Sequence, residues 1–258
     1  MTISALEISS LVSAWVWPFL RVAAFITTVP VFGNRLVPSR VKIAIALALT
    51  LVIAPLLTDL PPLVPFKGEM VIVIAQQVLI GLTIGFAVRL ALIVLELLGQ
   101  LIAHLMGLGF AELVDPQNGV SVPGFSQFYV IAATLVFLAL DGHLLTVSLL
   151  VDSFEVLPVG GRALEVDALW LITGQIGWVF AAAMQLALPA VVTLLIVNIA
   201  FGIVSRAAPQ LNIISIGFPM TLALGFVVVW LTWRGFVDSA GAVFGQSLSV
   251  GDALIRAF

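Results

Sequence analysis

Apolar residues in this chain run in long continuous stretches, at 11–32, 43–57, 70–105, 125–151, 169–204 and 213–236, with short polar or Gly/Pro-rich breaks between them. None alternates with a period of two, so the pattern predicts helices and no membrane-spanning strands. Stretches longer than roughly 18 apolar residues span a bilayer, whose dry core forces the backbone to bond internally. The expected fold class is therefore all-α, a polytopic membrane protein with long, Pro/Gly-broken helical hairpins. The stretch 43–57 is short and closes at Pro55, and Pro61, Pro62 and Pro65 stiffen the connection after it.

Two stretches are too long for one straight span. Each of 70–105 and 169–204 has about 36 residues, or about 54 Å of helix, against a hydrocarbon core of roughly 30 Å. The first is either a hairpin or one long helix shielded by protein and reaching beyond the bilayer. In the second, Pro189 is expected to split or kink the helix. The segments 188–204 and 213–230 then read as a hairpin around the turn 205–212. The tail 238–258 has a mixed pattern and predicts no defined element.

The few polar positions inside these stretches carry most of the information. Arg21 lies in the first stretch, where a lipid-facing guanidinium is expensive, so it faces protein or water or snorkels to the interface. Arg35, Arg40 and Lys42 follow without an acid, which places that loop in the cytoplasm. Arg206 puts the turn 205–212 on the same side. Arg89 and Glu96 stand seven residues apart on one helical face, too far for a direct bond and suited to groups on neighbouring subunits. Gly81 and Gly85 form a G-x-x-x-G that permits close helix approach. Asp141-Gly142-His143 interrupts the fourth stretch, either as a proton relay or as a helix cap or break.

With 62% hydrophobic and 9% charged residues, a water-soluble core is excluded. The net charge of −3 offers no basic surface, so nucleic acid is not an expected partner. Without cysteines and with two histidines, no metal site is expected, and no cofactor fingerprint is present. No zinc-protease, nucleophile-elbow or P-loop motif occurs, so an enzyme is not expected. The start of the chain has no basic region ahead of its first apolar stretch, and a removable signal peptide is not expected. An ion-coupled secondary transporter using Arg89, Glu96 and Asp141 remains an alternative.

The segment between the third and fourth stretches is different again. From His104 to Gly124 it holds Gly107, Gly109, Gly119, Gly124, Pro116 and Pro123, too many for a regular helix. Met106, Leu108, Phe110, Leu113 and Val114 make this loop greasier than a solvated connection requires. Such a loop reads either as a gasket or as a loop packed against its own protein.

Several motifs resemble one family together: Arg21-Val-Ala-Ala-Phe-Ile-Thr-Thr-Val-Pro-Val-Phe-Gly33, Val37-Pro-Ser-Arg40-Val-Lys42, Val114-Asp-Pro-Gln-Asn-Gly119, Leu138-Ala-Leu-Asp-Gly-His143, Ser153-Phe-Glu-Val-Leu-Pro-Val-Gly160 and Ser205-Arg-Ala-Ala-Pro-Gln-Leu-Asn-Ile213. Their order over nearly the whole chain resembles the FliR family of flagellar export proteins, whose virulence counterparts serve type III secretion. The resemblance implies a non-enzymatic export-gate subunit in the bacterial inner membrane at the flagellar basal body. Its implied partners are FliP and FliQ in a stable hetero-oligomer, FlhB, unfolded flagellar substrates in transit, and membrane lipid. It further implies a FliP-like part over 1–165 and a FliQ-like hairpin with a C-terminal tail over 166–258.

By the same resemblance the loop 106–124 is a plug in the closed pore, with Met106, Gly107, Leu108, Gly109, Phe110, Leu113, Val114 and Pro116 as its residues. Arg21, Arg89, Glu96 and Asp141 are implied as buried or inter-subunit charges. Ser205, Arg206, Pro209, Gln210 and Asn212 are implied to form a turn at the cytoplasmic entrance. The chain departs from the family pattern at His104 and Glu112, and Glu112 is expected to face a neighbouring subunit or the channel wall. A purely structural scaffold would differ from a plugged gate only in what 106–124 touches.

Overall fold

The computed structural model describes residues 5–57, 60–61, 68–108, 124–161, 166–207 and 213–257. Among these every regular element is helical: α1 (Ala5–Thr28), α2 (Ser39–Ile53), α3 (Gly68–Leu105), α4 (Gly124–Ala139), α5 (Gly142–Val156), α6 (Val166–Ala207), α7 (Ile213–Thr232) and α8 (Phe236–Ala257). Short 3-10 turns at Ala54–Leu56 and Trp233–Gly235 extend α2 and join α7 to α8. Four helical stretches are long and apolar enough to cross a membrane, or five if α4 and α5 count as one broken span. The chain is a polytopic membrane protein.

The overlong stretches resolve in favour of single helices. α3 is unbroken over 38 residues, so it is not a hairpin. α6 runs for 42 residues straight through Pro189, which the sequence had suggested would split it. The hairpin expected to start at 188 therefore has a first arm that begins at Val166. A proline removes one amide donor, and α6 carries that loss with four helical turns or more on either side of it. The tail is also ordered: α8 spans 22 residues. Its buried positions Ala240, Val243, Phe244, Ser247, Val250 and Leu254 repeat at steps of three and four, an amphipathic period diluted by glycines and serines in composition alone.

Two compact units can be described. One gathers Met1–Leu90, Asp141–Ile176 and Phe244–Phe258, the other Ala91–Leu140 and Gly177–Val243. These groupings follow spatial neighbours and are independent of the likeness-based division at residue 165.

In the first unit α1 and α3 approach through Gly81 and Gly85. A Cβ on Gly81 would collide with the Arg21 carbonyl, and one on Gly85 with Thr28 Oγ1 and, at 2.9 Å, the Phe25 carbonyl. Thr28 Oγ1 also donates to the Leu82 carbonyl across the same contact, at 3.4 Å. α8 closes on α3 where Ser247 Oγ donates to the Ala87 carbonyl at 2.5 Å. Ala87, Val250 and Leu254 make a small core there, with Leu171 and Ile172 of α6 packed against it.

In the second unit Gly99 of α3 lies against α4, where an added Cβ would sit 2.8 Å from Ser126 Cα. Phe128, Tyr129, Trp233 and Phe236 form a ring cluster, with Trp233 and Phe236 stacked at 4.7 Å between centroids.

The two glycine environments of the first unit give a clean comparison. Gly81→Val places branched carbons against the backbone of α1, and its cost is about 1–3 kcal/mol of overpacking or more. Gly174 on α6 has nothing within 4 Å of its Cβ position, so Gly174→Val leaves the fold of the isolated chain intact. Thermal unfolding of both variants in detergent checks this: a lower midpoint is expected for the first and an unchanged one for the second.

Candidate functional site

The best-defined polar arrangement is built around Arg21. Its side chain is fully buried at 0% exposure in the middle of α1. Nε donates to Gln77 Oε1 at 2.8 Å, Nη1 to the Ser153 carbonyl at 2.7 Å, and Nη2 to the Leu157 carbonyl at 2.7 Å. Ser153 Oγ lies 3.2 Å from Nη1, and the Phe154 ring centre 4.1 Å from the guanidinium carbon. No carboxylate is among these partners. The cation instead meets carbonyls at the end of α5, where the helix dipole is negative and last-turn carbonyls lack intrahelical donors. Arg21 is thus satisfied within its own chain and is not available to a neighbouring subunit.

Asp141 and Gly142 form the break between α4 and α5. Asp141 is exposed in the left-handed region at φ 54°, and its carbonyl accepts from Leu144 and Leu145 amides while its side chain caps nothing. This geometry is that of a helix break. The Nδ1 of His143 beside it has no hydrogen-bond partner.

Arg89 and Glu96 both lie on α3, as their spacing required. Arg89 is exposed and Glu96 half-buried. Glu96 Oε1 accepts a long 3.4 Å bond from Gln100, whose carbonyl lies 2.8 Å from His104 Nδ1. Among the described residues the one ion pair is Arg256 with Asp252, on the exposed face of α8.

The stem of the expected plug is visible. α3 ends in a Schellman turn: Gly107 has φ 82°, its amide donates to the His104 carbonyl, and Leu108 N donates to the Ala103 carbonyl, both at 3.0 Å. Gly107 therefore terminates a helix, a position where a positive φ favours glycine. The Leu105 carbonyl left over at this end accepts from Asn198 Nδ2 of α6 at 3.2 Å. Met106 is fully buried, its side chain filling the space where a Cβ on Gly225 of α7 would go.

On the far side, Phe125 of α4 packs edge-on against Phe226 of α7, with 6.0 Å between centroids. Both ends of the intervening segment are thus held by consecutive residues of α7. Leu108 is half-buried, whereas Gly109, Phe110, Leu113, Val114 and Pro116 lie outside the described residues, as does Glu112. Ser205 and Arg206 occupy the last turn of α6, with Ser205 Oγ donating to the Gly202 carbonyl at 2.6 Å. Pro209, Gln210 and Asn212 lie outside the described residues.

Sequence reading missed Gln77, Ser153 and the Ser247–Ala87 bond, because single Ser and Gln residues in apolar runs carry no motif. Among the described residues no group of three or more potential metal ligands forms. The second unit also contains a cavity of about 280 Å³ near Pro189, lined by Tyr129, Gln185, Trp233 and Phe236 among others.

A helical membrane protein with unusually long apolar helices, a buried arginine at a helix end and a loop rooted on α7 defines the class: a membrane-embedded subunit without an evident catalytic centre. A family model described as bacterial export proteins, family 1, matches residues 12–247. Flagellar biosynthetic protein FliR of Pectobacterium carotovorum is 38% identical over 90% of this chain and 88% of its own length. FliR of Escherichia coli K12 is 40% identical over 84% and 82%, and FliR of Bacillus subtilis 29% over 86% and 87%. The chain belongs to this bacterial export family, alongside these flagellar proteins.

Two substitutions test the geometry. Arg21→Leu strands the Leu157 carbonyl and the Gln77 amide, and Arg21→Lys keeps the charge but loses the fork that reaches both α3 and α5. Both are expected to lower the unfolding midpoint in detergent, the leucine variant by the equivalent of about 3 kcal/mol. Gly107→Ala forces a Cβ into a left-handed position and is expected to cost about 1 kcal/mol. A midpoint unchanged in all three variants would contradict the contacts described.

Proposed function

We propose that this chain is a subunit of the flagellar type III export gate, which with FliP and FliQ forms the channel for unfolded flagellar substrates. One observation carries the reading. The apolar part of α6 from Trp170 to Ala207 has 38 residues, yet only 17% of it is buried within the chain. Its length is about 57 Å, so roughly 27 Å of uncovered greasy helix extends beyond a 30 Å hydrocarbon core. Lipid cannot cover that excess, and water would leave a large apolar patch of the kind that marks protein contact. Neighbouring subunits are the covering that fits. Membership of the export family supports the same reading, as do the relatives' names.

Within that gate the segment 106–124 acts as a removable apolar stopper, rooted by Met106 and Phe125 on α7. Its Leu108, Phe110, Leu113 and Val114 block ions by resisting wetting. FlhB joins at the cytoplasmic side near Arg206, and the subunit works in the inner membrane at the basal body without catalysing a reaction of its own.

The test combines assembly and conductance. Full-length chain purified from flagellated cells is expected to bring FliP and FliQ with it, and recovery alone would reject the gate reading. Deleting 109–114, beyond the Schellman turn, is expected to leave that recovery intact while making the membrane leaky to ions. Unchanged conductance would instead favour a scaffold with no segment in the pore.

A further inference from the structure

α3 is the most deeply packed of the long spans, 61% buried against the rest of the chain. Its burial is not uniform around the helix. Ile84, Val88, Ala91 and Leu95 are at most 1% exposed, whereas Leu79, Leu82, Phe86, Arg89, Ile93 and Glu96 are all half-buried or exposed. The open positions follow steps of three, four, three, four and three. On an unbroken helix that is one stripe with a mean period near 3.5 residues, the period of a seam in a left-handed helix pair.

The charges of the span lie on this seam. Arg89 stands 19 residues after Met70 and 16 before Leu105, by subtraction along the span, or about 28 Å and 24 Å from its two ends. Snorkelling cannot bring a guanidinium from that depth to an interface, and lipid exposure there costs about 2.5–3.5 kcal/mol or more. A water-filled wall would suit Arg89 and Glu96 but would wet Leu79, Leu82 and Phe86, which continue the same stripe. Arg89 and Glu96 are one heptad, about 10.5 Å, apart along the axis and so do not pair directly. Opposite charges at heptad spacing are a code for a second helix.

We infer that the open stripe of α3 is a docking seam for a helix of a neighbouring membrane subunit, which sets a carboxylate level with Arg89 and a cation or amide donor level with Glu96. The inference rests on the export-gate reading and specifies one of its interfaces. Leu79, Leu82, Phe86 and Ile93 supply the apolar knobs. The charge pair sets the register, since a slip of one turn would leave two ions unpaired in a dry contact.

The natural absence of cysteine makes the test direct. In membranes holding the full complex, Phe86→Cys and Ile93→Cys are expected to react with a membrane-impermeant maleimide at least an order of magnitude more slowly than Asn34→Cys in the exposed turn. A benzophenone amino acid at the same two positions is expected to crosslink to a partner helix that has an acidic residue within one turn of the attachment point. The crosslinks should persist in Arg89→Lys and be lost in Arg89→Glu. Fast maleimide labelling would overturn the seam in favour of a wetted wall, and absent crosslinks would overturn it in favour of lipid. Crosslinks indifferent to Arg89→Glu would overturn the charge pairing. In each of these cases partners that still co-purify would leave the export-gate reading standing, whereas their absence from the wild-type preparation would reject that reading separately.

Discussion

The packing of the first unit depends on how a cation is solvated without a counter-ion. Arg21 and the end of α5 are each untenable alone in an apolar interior: one is a naked charge, the other a row of carbonyls without donors. Brought together, they cancel each other's desolvation. Because the guanidinium fork is rigid, it fixes more than one distance at once, tying α1 to Gln77 on α3 and to the Ser153 and Leu157 carbonyls of α5. An Arg–carboxylate pair would have neutralised the charge as well, but it would not have terminated a helix. Gly81 and Gly85 make this bond network possible by letting the backbone of α1 approach α3 closely.

The same economy recurs wherever a helix end or a bend falls within the packed part of the molecule. The last carbonyls of α3 are met by a Schellman turn and by Asn198, and the Ala87 carbonyl in mid-helix takes an additional bond from Ser247. Polar atoms placed inside the chain thus serve backbone groups of the chain. Arg89 is the contrast: it serves nothing among the described residues and stands exposed in an apolar span. The difference divides the charges named from sequence into those that hold this chain together and those left for another surface.

Much of this was legible beforehand. Continuous apolar runs fixed the helical class, the positions of α1 to α7 and the break at Asp141, because hydrophobic length and glycine placement are local properties. The 36-residue run at 70–105 left hairpin and single helix equally open, since composition does not say what covers a helix. Pro189 misled for the opposite reason, as its local penalty is small beside the packing and remaining hydrogen bonds of a 42-residue helix. α8 was unread because its glycines and serines mask a buried stripe that only spacing reveals. The role of Arg21 was half legible: burial follows from its place in an apolar run, but partners 132 and 136 residues away do not.

The greasy segment at 106–124 shows how the two levels combine. Composition marks it as too apolar for a loop and too rich in glycine for a helix, which allows either a gasket or an internal pad. The stems narrow the physics. Met106 and Phe125 are anchored on the consecutive residues Gly225 and Phe226 of α7, and Gly107 ends α3 one residue after the first anchor. Any rearrangement of the segment can therefore begin after Gly107 without unwinding α3 or breaking the Asn198 contact. Closing a loop between two points already held on one helical turn removes most of the entropy of its ends, so the free energy that separates one placement from another resides in its middle residues. Those are the residues whose side chains are the most apolar, and whose preference between a dry and a wet surrounding is largest.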